Sequence, residues 1–412
     1  MELIRHLFVG FFILSQLHLG NSILLACYFT NWAQYRDGAS RFTVDDVDPY
    51  LCTHLIYAFA AIDERYQIIS TEDNDEDSYK IFNNLKLQNH KLKTLLSVGG
   101  WIFGSARYNN VVSTQTTRRA FIKSVISFLR IHRFDGIDLA WHYPGAKGNP
   151  AENKNLYTRL IEEMKIAFIE EATDTQQYEL MLVASMSAGK QIIDDSYEVN
   201  IISQYLDFII VMSFDFHGPW NVFIGHHSPL SQNKGEHGEL QFLNVEYAVK
   251  YYRSQGSPGK KLLVGFGTYG RSFKLQTDSW RIGAPANGPG PKGRYTNQPG
   301  TMAYYEICEF LKGADKHWNS IQKVPFAVKE GVWIGYDNMR SIDVKVKWLR
   351  AERFGGAAVW TLDFDDIMGS CKQGFSPLVT RLKMQLSVAS GLQLETLAMK
   401  AFLAMMAIIQ TA

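Results

Sequence analysis

The chain has 412 residues, 46% hydrophobic and 13% aromatic, with 42 basic against 41 acidic side chains and a formal net charge of +1. That length and apolar content suit one large domain carrying an insertion. The charge balance excludes a long-range field for nucleic acid, and no basic run interleaves with aromatics.

In chain order, residues 1–21 read as a secretory signal. Arg5 and His6 precede an apolar stretch from Leu7 to Leu14, too short to span a bilayer, and small residues follow at Gly20 and Ser22. The expectation is a secreted, extracellular protein, so the four cysteines, Cys27, Cys52, Cys308 and Cys371, are expected in disulfides. Four cysteines allow three pairings. No Asn-x-Ser/Thr sequon is present.

Residues 22–383 alternate short β-rich runs with amphipathic stretches. The predicted strands are 23–30, 54–60, 93–99, 136–141, 180–186, 208–214, 261–267 and 357–362, with helices such as 116–133 and 153–171 between them. In the first of these helices Phe121, Val125, Phe128 and Leu129 recur at helical spacing. Eight strands alternating with helices predict an α/β fold, a (β/α)8 TIM barrel whose site gathers at the C-terminal strand ends. The interval between the last two strands is too long for one crossover. It is read as an inserted small α+β domain at about 274–341, with a Gly/Pro-rich loop at 283–293. The tail, 384–412, contains an apolar run at 397–409 interrupted by Lys400 and has no assigned role.

The most informative segment is Asp135-Gly136-Ile137-Asp138-Leu139-Ala140-Trp141-His142-Tyr143-Pro144. Alternate residues of a strand point the same way, so Asp138, Ala140 and His142 are expected on one face, with Trp141 opposite, in the core. Carboxylates at all three positions would make a proton-relay site for sugar hydrolysis. Here the middle one is a methyl group and the last an imidazole.

Five further motifs follow in order: Cys27-Tyr28-Phe29-Thr30-Asn31-Trp32, Ser97-Val98-Gly99-Gly100-Trp101, Met212-Ser213-Phe214-Asp215-Phe216-His217-Gly218, Tyr269-Gly270-Arg271-Ser272-Phe273 and Val359-Trp360-Thr361-Leu362-Asp363. Together with the Asp135–Pro144 segment they resemble the glycoside hydrolase family 18 chitinases, from about Leu25 to about Leu382. Within that family the chain looks most like the chitinase-like lectins of the cartilage-glycoprotein type, which share an Ala at the position of Ala140.

The resemblance implies disulfides Cys27–Cys52 and Cys308–Cys371. It also implies that the acid position is His142, and that the positions holding the substrate's 2-acetamido group are Ala140 and Phe214. Asp135, Asp138, Met212 and Asp215 are unchanged. A histidine at the barrel mouth is expected to fill space and hydrogen-bond an aspartate. No catalytic residue is assigned, and the alternative is a weak or altered hydrolase using His142 as acid.

Sugar binding is the stronger expectation. The resemblance places Trp32, Trp101, Trp220 and Trp360 against sugar rings, whose C–H faces suit a flat indole, and adds Tyr28, Phe59, Met212, Asp215, Tyr269 and Arg271 as lining residues. Trp280, Trp318, Trp333 and Trp348 are read as packing. Ile102 stands where the family has a polar amide at the groove wall, a lost hydrogen bond of about 0.5–1.5 kcal/mol. The expected ligand is chitin or a chito-oligosaccharide bound without cleavage by a monomer, with a protein receptor implied by the resemblance and no nucleic acid or cofactor. No metal site is read: His226 and His227, adjacent in sequence, are expected to point apart, and Asp363, Asp365 and Asp366 lack calcium-loop spacing.

Overall fold

A computed structural model describes residues 23–387. Its strands are β1 (Leu24–Thr30), β2 (His54–Ile62), β3 (Ile68–Ile69), β4 (Lys93–Gly99), β5 (Gly136–Ala140), β6 (Met181–Ser187), β7 (Phe208–Met212) and β8 (Leu262–Gly267), then β9 (Tyr269–Leu275), β10 (Ala286–Pro289), β11 (Thr301–Ala303), β12 (Asp315–Asn319), β13 (Val324–Lys329), β14 (Val332–Gly335) and β15 (Gly356–Trp360). The α-helices are α1 (Asp75–Gln88), α2 (Ala106–Val112), α3 (Gln115–His132), α4 (Asn153–Thr175), α5 (Lys190–Ser196), α6 (Val199–Tyr205), α7 (Val245–Ser254), α8 (Tyr304–Phe310) and α9 (Met339–Ala351), and residues 377–387 are helical.

Strands β1, β2, β4, β5, β6, β7, β8 and β15 pair in parallel in that order, and β15 returns to β1 to close a barrel. All eight predicted strands are present, with ends shifted by a residue or two. They are almost wholly buried, as expected of parallel strands covered on both faces, one by helices and one by the barrel interior. Inside, Ala26, Ile56, Ala58, Leu95, Val183, Ile210, Leu263 and Ala358 interdigitate. Outside, the helices bury their apolar stripes. On α3 these are Phe121, Ile122, Val125 and Leu129, and the helix is capped by Thr114, whose side chain accepts the Thr117 N–H at 3.2 Å.

Between β8 and β15 a second, antiparallel sheet runs β10-β9-β14-β13-β12, with β11 also on β9. Its core is Phe273, Phe326, Trp333, Ile224, Ala284 and Ala286. Disulfide Cys308–Cys371 ties α8 of this region to the loop after β15, and Cys27–Cys52 ties β1 to the segment before β2. Lys345 on α9 is fully buried and donates to Asp337 at 2.6 Å and to the Ser228 carbonyl at 2.7 Å. That bond pins the long loop after β7, which carries Asp215 and Trp220.

Among the described residues no helix is long and apolar enough to cross a membrane. The expected signal segment and nearly all of the tail, including 397–409, lie outside the described residues.

Candidate functional site

The motifs converge at the C-terminal ends of the barrel strands. Tyr28 on β1 and Trp360 on β15 meet edge to face at 5.0 Å between ring centroids. Phe59 on β2 stacks on Trp360 at 5.8 Å and on Trp32 at 5.7 Å. Trp32 lies on the short 3-10 turn Asn31–Tyr35, which is anchored by Asn31 donating to the buried Asp75 at 3.1 Å and to Thr71 at 2.9 Å. Thr30 and Arg36 both reach Asp363, at 2.9 and 2.6 Å, which locks the loop after β1 to the loop after β15. The result is an aromatic floor with Trp360 half-buried and Trp32 38% exposed. Gly100 is part of that floor: a Cβ there would come within 2.6 Å of the Phe59 ring, and its φ of +87° suits glycine.

Asp138 lies deeper on β5, with no exposed surface. One carboxylate oxygen accepts from Ser97 at 2.7 Å, Tyr28 at 2.8 Å and Ser185 at 3.2 Å, while the other has no partner. Burial pushes its pKa up to about 6, and the three hydroxyl donors pull against that. Ser185 was not singled out in the sequence, and Ser97 only as the first residue of the Ser97–Trp101 motif, with no role as a partner of Asp138. Their signal is a hydroxyl on each strand flanking β5, Ser97 in direct register with Asp138.

Strand β5 ends at Ala140, so the alternation that predicts a shared face for Asp138, Ala140 and His142 stops short of the last residue. His142 nonetheless reaches the mouth, 6.3 Å from Trp101 and stacked on Tyr143 at 5.0 Å. It does not hydrogen-bond an aspartate as expected. The residue is half-buried, yet both ring nitrogens are shielded and unpaired. Burial alone lowers its pKa to about 4. Trp141 takes the opposite side as expected, 1% exposed and stacked on Tyr108 at 4.9 Å.

The far wall is a charge clamp. Asp215, at a left-handed φ of 60°, accepts from Tyr269 at 2.8 Å and from Arg271 at 2.8 and 2.7 Å, a bidentate pair. Arg271 also donates to Thr301 and lies 5.4 Å from the centroid of the Trp220 ring, which is 58% exposed. Gly218 makes room for Trp220: a Cβ there would sit 2.3 Å from the indole. Phe214 packs edge-on to Tyr269 at 6.2 Å, and Met212 is half-buried at the end of β7. His227, another residue not singled out for this wall, lies 4.0 Å from Asp215 with both ring nitrogens unpaired.

Some expected members stand apart. Asp135 precedes β5 at the other end of the barrel, where it binds Lys86 at 3.0 Å and accepts the Thr94 N–H at 2.9 Å. Ile102 is 98% exposed and lines nothing. Trp101 beside it is 68% exposed, on the rim. His226 and His227 do not point apart: their rings stack at 5.3 Å and 22°. The loop between Ser213 and Ser228 folds back on itself, so strand alternation does not apply, and His226 spends one nitrogen on the carbonyls of Pro325 and Tyr336. Asp365 and Asp366 accept backbone N–H groups of Val379, Ser370 and Cys371. No group of side chains able to hold a metal occurs among the described residues.

Residues 24–365 match the glycosyl hydrolases family 18. The chain belongs to that family. It is 44% identical over 385 residues to Chitinase-3-like protein 2 of Homo sapiens, covering 93% of this chain and 97% of that one. It is also 44% identical over 383 residues to Chitotriosidase-1 of Mus musculus, covering 92% and 82%. A solved structure described as "Human YKL-39 is a pseudo-chitinase with retained chitooligosaccharide binding properties" superposes with a TM-score of 0.85 at 45% identity, over 88% of this chain and 99% of that one. Equal identity to a chitinase-like protein and to a chitotriosidase leaves the choice between binding and cleavage to the site of this family 18 chain.

Proposed function

We propose that this protein is a secreted lectin that binds chitin-like N-acetylglucosamine oligosaccharides at the barrel mouth and does not hydrolyse them. The observation that carries this is His142. Family 18 chemistry needs a proton delivered to the glycosidic oxygen from this position, and the substrate's own acetamido group held as nucleophile. An imidazole whose pKa is lowered to about 4 is neutral through the physiological range. At pH 7 about one molecule in a thousand would carry the proton. Ala140 and Phe214 offer the acetamido group no hydrogen bond. The aromatic floor of Tyr28, Phe59, Trp32 and Trp360 remains assembled for stacking. The chito-oligosaccharide binding stated for YKL-39 supports the same assignment. Secretion is supported by the charged-then-apolar start of the chain.

The test is a fluorogenic chito-oligomer incubated with purified full-length protein from pH 4 to pH 8, beside a titration of intrinsic tryptophan fluorescence with chitohexaose. Saturable fluorescence change with turnover no higher than an Asp138→Ala control is expected. Turnover well above that control defeats the proposal, as does a fluorescence signal blind to the sugar.

A further inference from the structure

We propose that the centre of this mouth does not discriminate a 2-acetamido group from a hydroxyl, so that β-1,4-linked glucose oligomers bind it about as well as N-acetylglucosamine oligomers. The inference rests on the lectin reading above and concerns which glycans that lectin accepts.

A secondary amide brings one donor and one acceptor. Both lose water when the sugar docks, so both need partners in the wall. Around the centre those partners are missing or already engaged. Ala140 has none and Phe214 has none. Asp215 already accepts three bonds from Tyr269 and Arg271, which leaves one lone pair on Oδ2 and no donor for the amide carbonyl. The Tyr28 hydroxyl is given to Asp138, and the free oxygen of Asp138 has no exposed surface, two residues deeper on β5 than Ala140. The two nitrogens of His142 are unpaired but shielded, so they are closed to either sugar.

Two opposed contributions separate the two sugars. The acetamido methyl gains apolar contact with Ala140 and Phe214, and its amide loses water without full replacement; each is of order 1 kcal/mol. They offset. A site built to bond a substituent can reject an analogue lacking it by ~10⁴-fold or more, and this wall lacks the groups to do so.

The experiment is calorimetric titration of the full-length protein with chitohexaose and with cellohexaose. Dissociation constants within about threefold of each other are expected. In the variant Ala140→Asp/Phe214→Tyr, which restores a carboxylate and a hydroxyl to the centre, the ratio should open to tenfold or more in favour of chitohexaose. Phe214→Tyr alone, the milder change, should open it partway. Tight chitohexaose with cellohexaose more than thirtyfold weaker overturns this inference and leaves the lectin reading standing. Binding of neither sugar overturns both. Equal binding that no central variant can bias shows that the acetamido group does not sit against Ala140 and Phe214, and overturns it too.

Discussion

On the β1, β2 and β15 side of the barrel mouth, Tyr28, Phe59, Trp32 and Trp360 pack ring against ring over a frame in which Asn31 donates to Asp75 and Thr30 to Asp363. On the β5 side, shielded polar atoms go unpaired: one oxygen of Asp138 and both nitrogens of His142. The contrast follows from what each side needs to persist. An aromatic floor is held by the forces that hold any core, dispersion and area removed from water, and it survives changes elsewhere. A proton relay needs several polar groups paired with one another and with substrate. Once Ala140, His142 and Phe214 occupy those positions, nothing inside the protein completes the remaining partners. The two sides can therefore be tested separately.

The largest effect should come from re-arming the polar side. Ala140→Asp with His142→Glu and Phe214→Tyr should raise turnover of a fluorogenic chito-oligomer about 100-fold or more above the wild-type background, since a positioned general acid is typically worth ~10²–10⁴. If the folded triple variant binds chitohexaose and stays inert, more than these three positions separates the chain from catalysis.

Dismantling the aromatic side comes next. Trp360→Ala removes the ring shared by Tyr28, Phe59 and Trp32, and chitohexaose affinity should fall about 30-fold or more, the scale of an interface hot spot of ~2 kcal/mol. Calorimetry showing unchanged affinity would move binding away from the floor.

A third effect separates the sides by pH. The Asp138 carboxyl titrates at about 6 in the fold against 3.8 unperturbed, because burial disfavours its charge. The native state therefore holds the proton more tightly than the unfolded chain, and stability is lost as pH rises from below 3.8 through 6. At 1.36 kcal/mol per unit, the ceiling is about 3 kcal/mol. Asp138→Asn should gain stability over wild type at pH 8, by about 1–3 kcal/mol in urea denaturation, and this gain should shrink towards nothing at pH 4. A difference that ignores pH would mean that Asp138 carries no desolvation penalty. His142 runs the other way: with its pKa lowered to about 4, its contribution is intact above 6.5 and is lost as pH falls towards 4.

The barrel was legible because every strand is a short apolar run between helical stretches, and buried parallel strands leave that pattern. The aromatic floor was legible through motifs at strand ends. What the sequence hid were contacts across strands and within loops. Ser97 and Ser185 become partners of Asp138 only through barrel register. His227 reaches Asp215 because the loop between Ser213 and Ser228 doubles back. The stacking of His226 on His227 escaped a strand-based rule for the same reason. His142 shows the limit of periodicity: alternation holds while the strand lasts, and β5 ends two residues earlier.

The smallest effect concerns Ile102. Its position in the Gly99-Gly100-Trp101 motif suggested a hydrogen bond lost from the wall. The side chain is 98% exposed, so an amide there would face water that already satisfies it. Ile102→Asn should therefore change chitohexaose affinity by less than about 0.5 kcal/mol, a factor of two or so in calorimetry. A gain of tenfold would mean that the Trp101 rim folds inward over bound sugar and carries residue 102 into contact. Binding would then draw on a moving rim as well as on the fixed floor of Tyr28, Phe59 and Trp360.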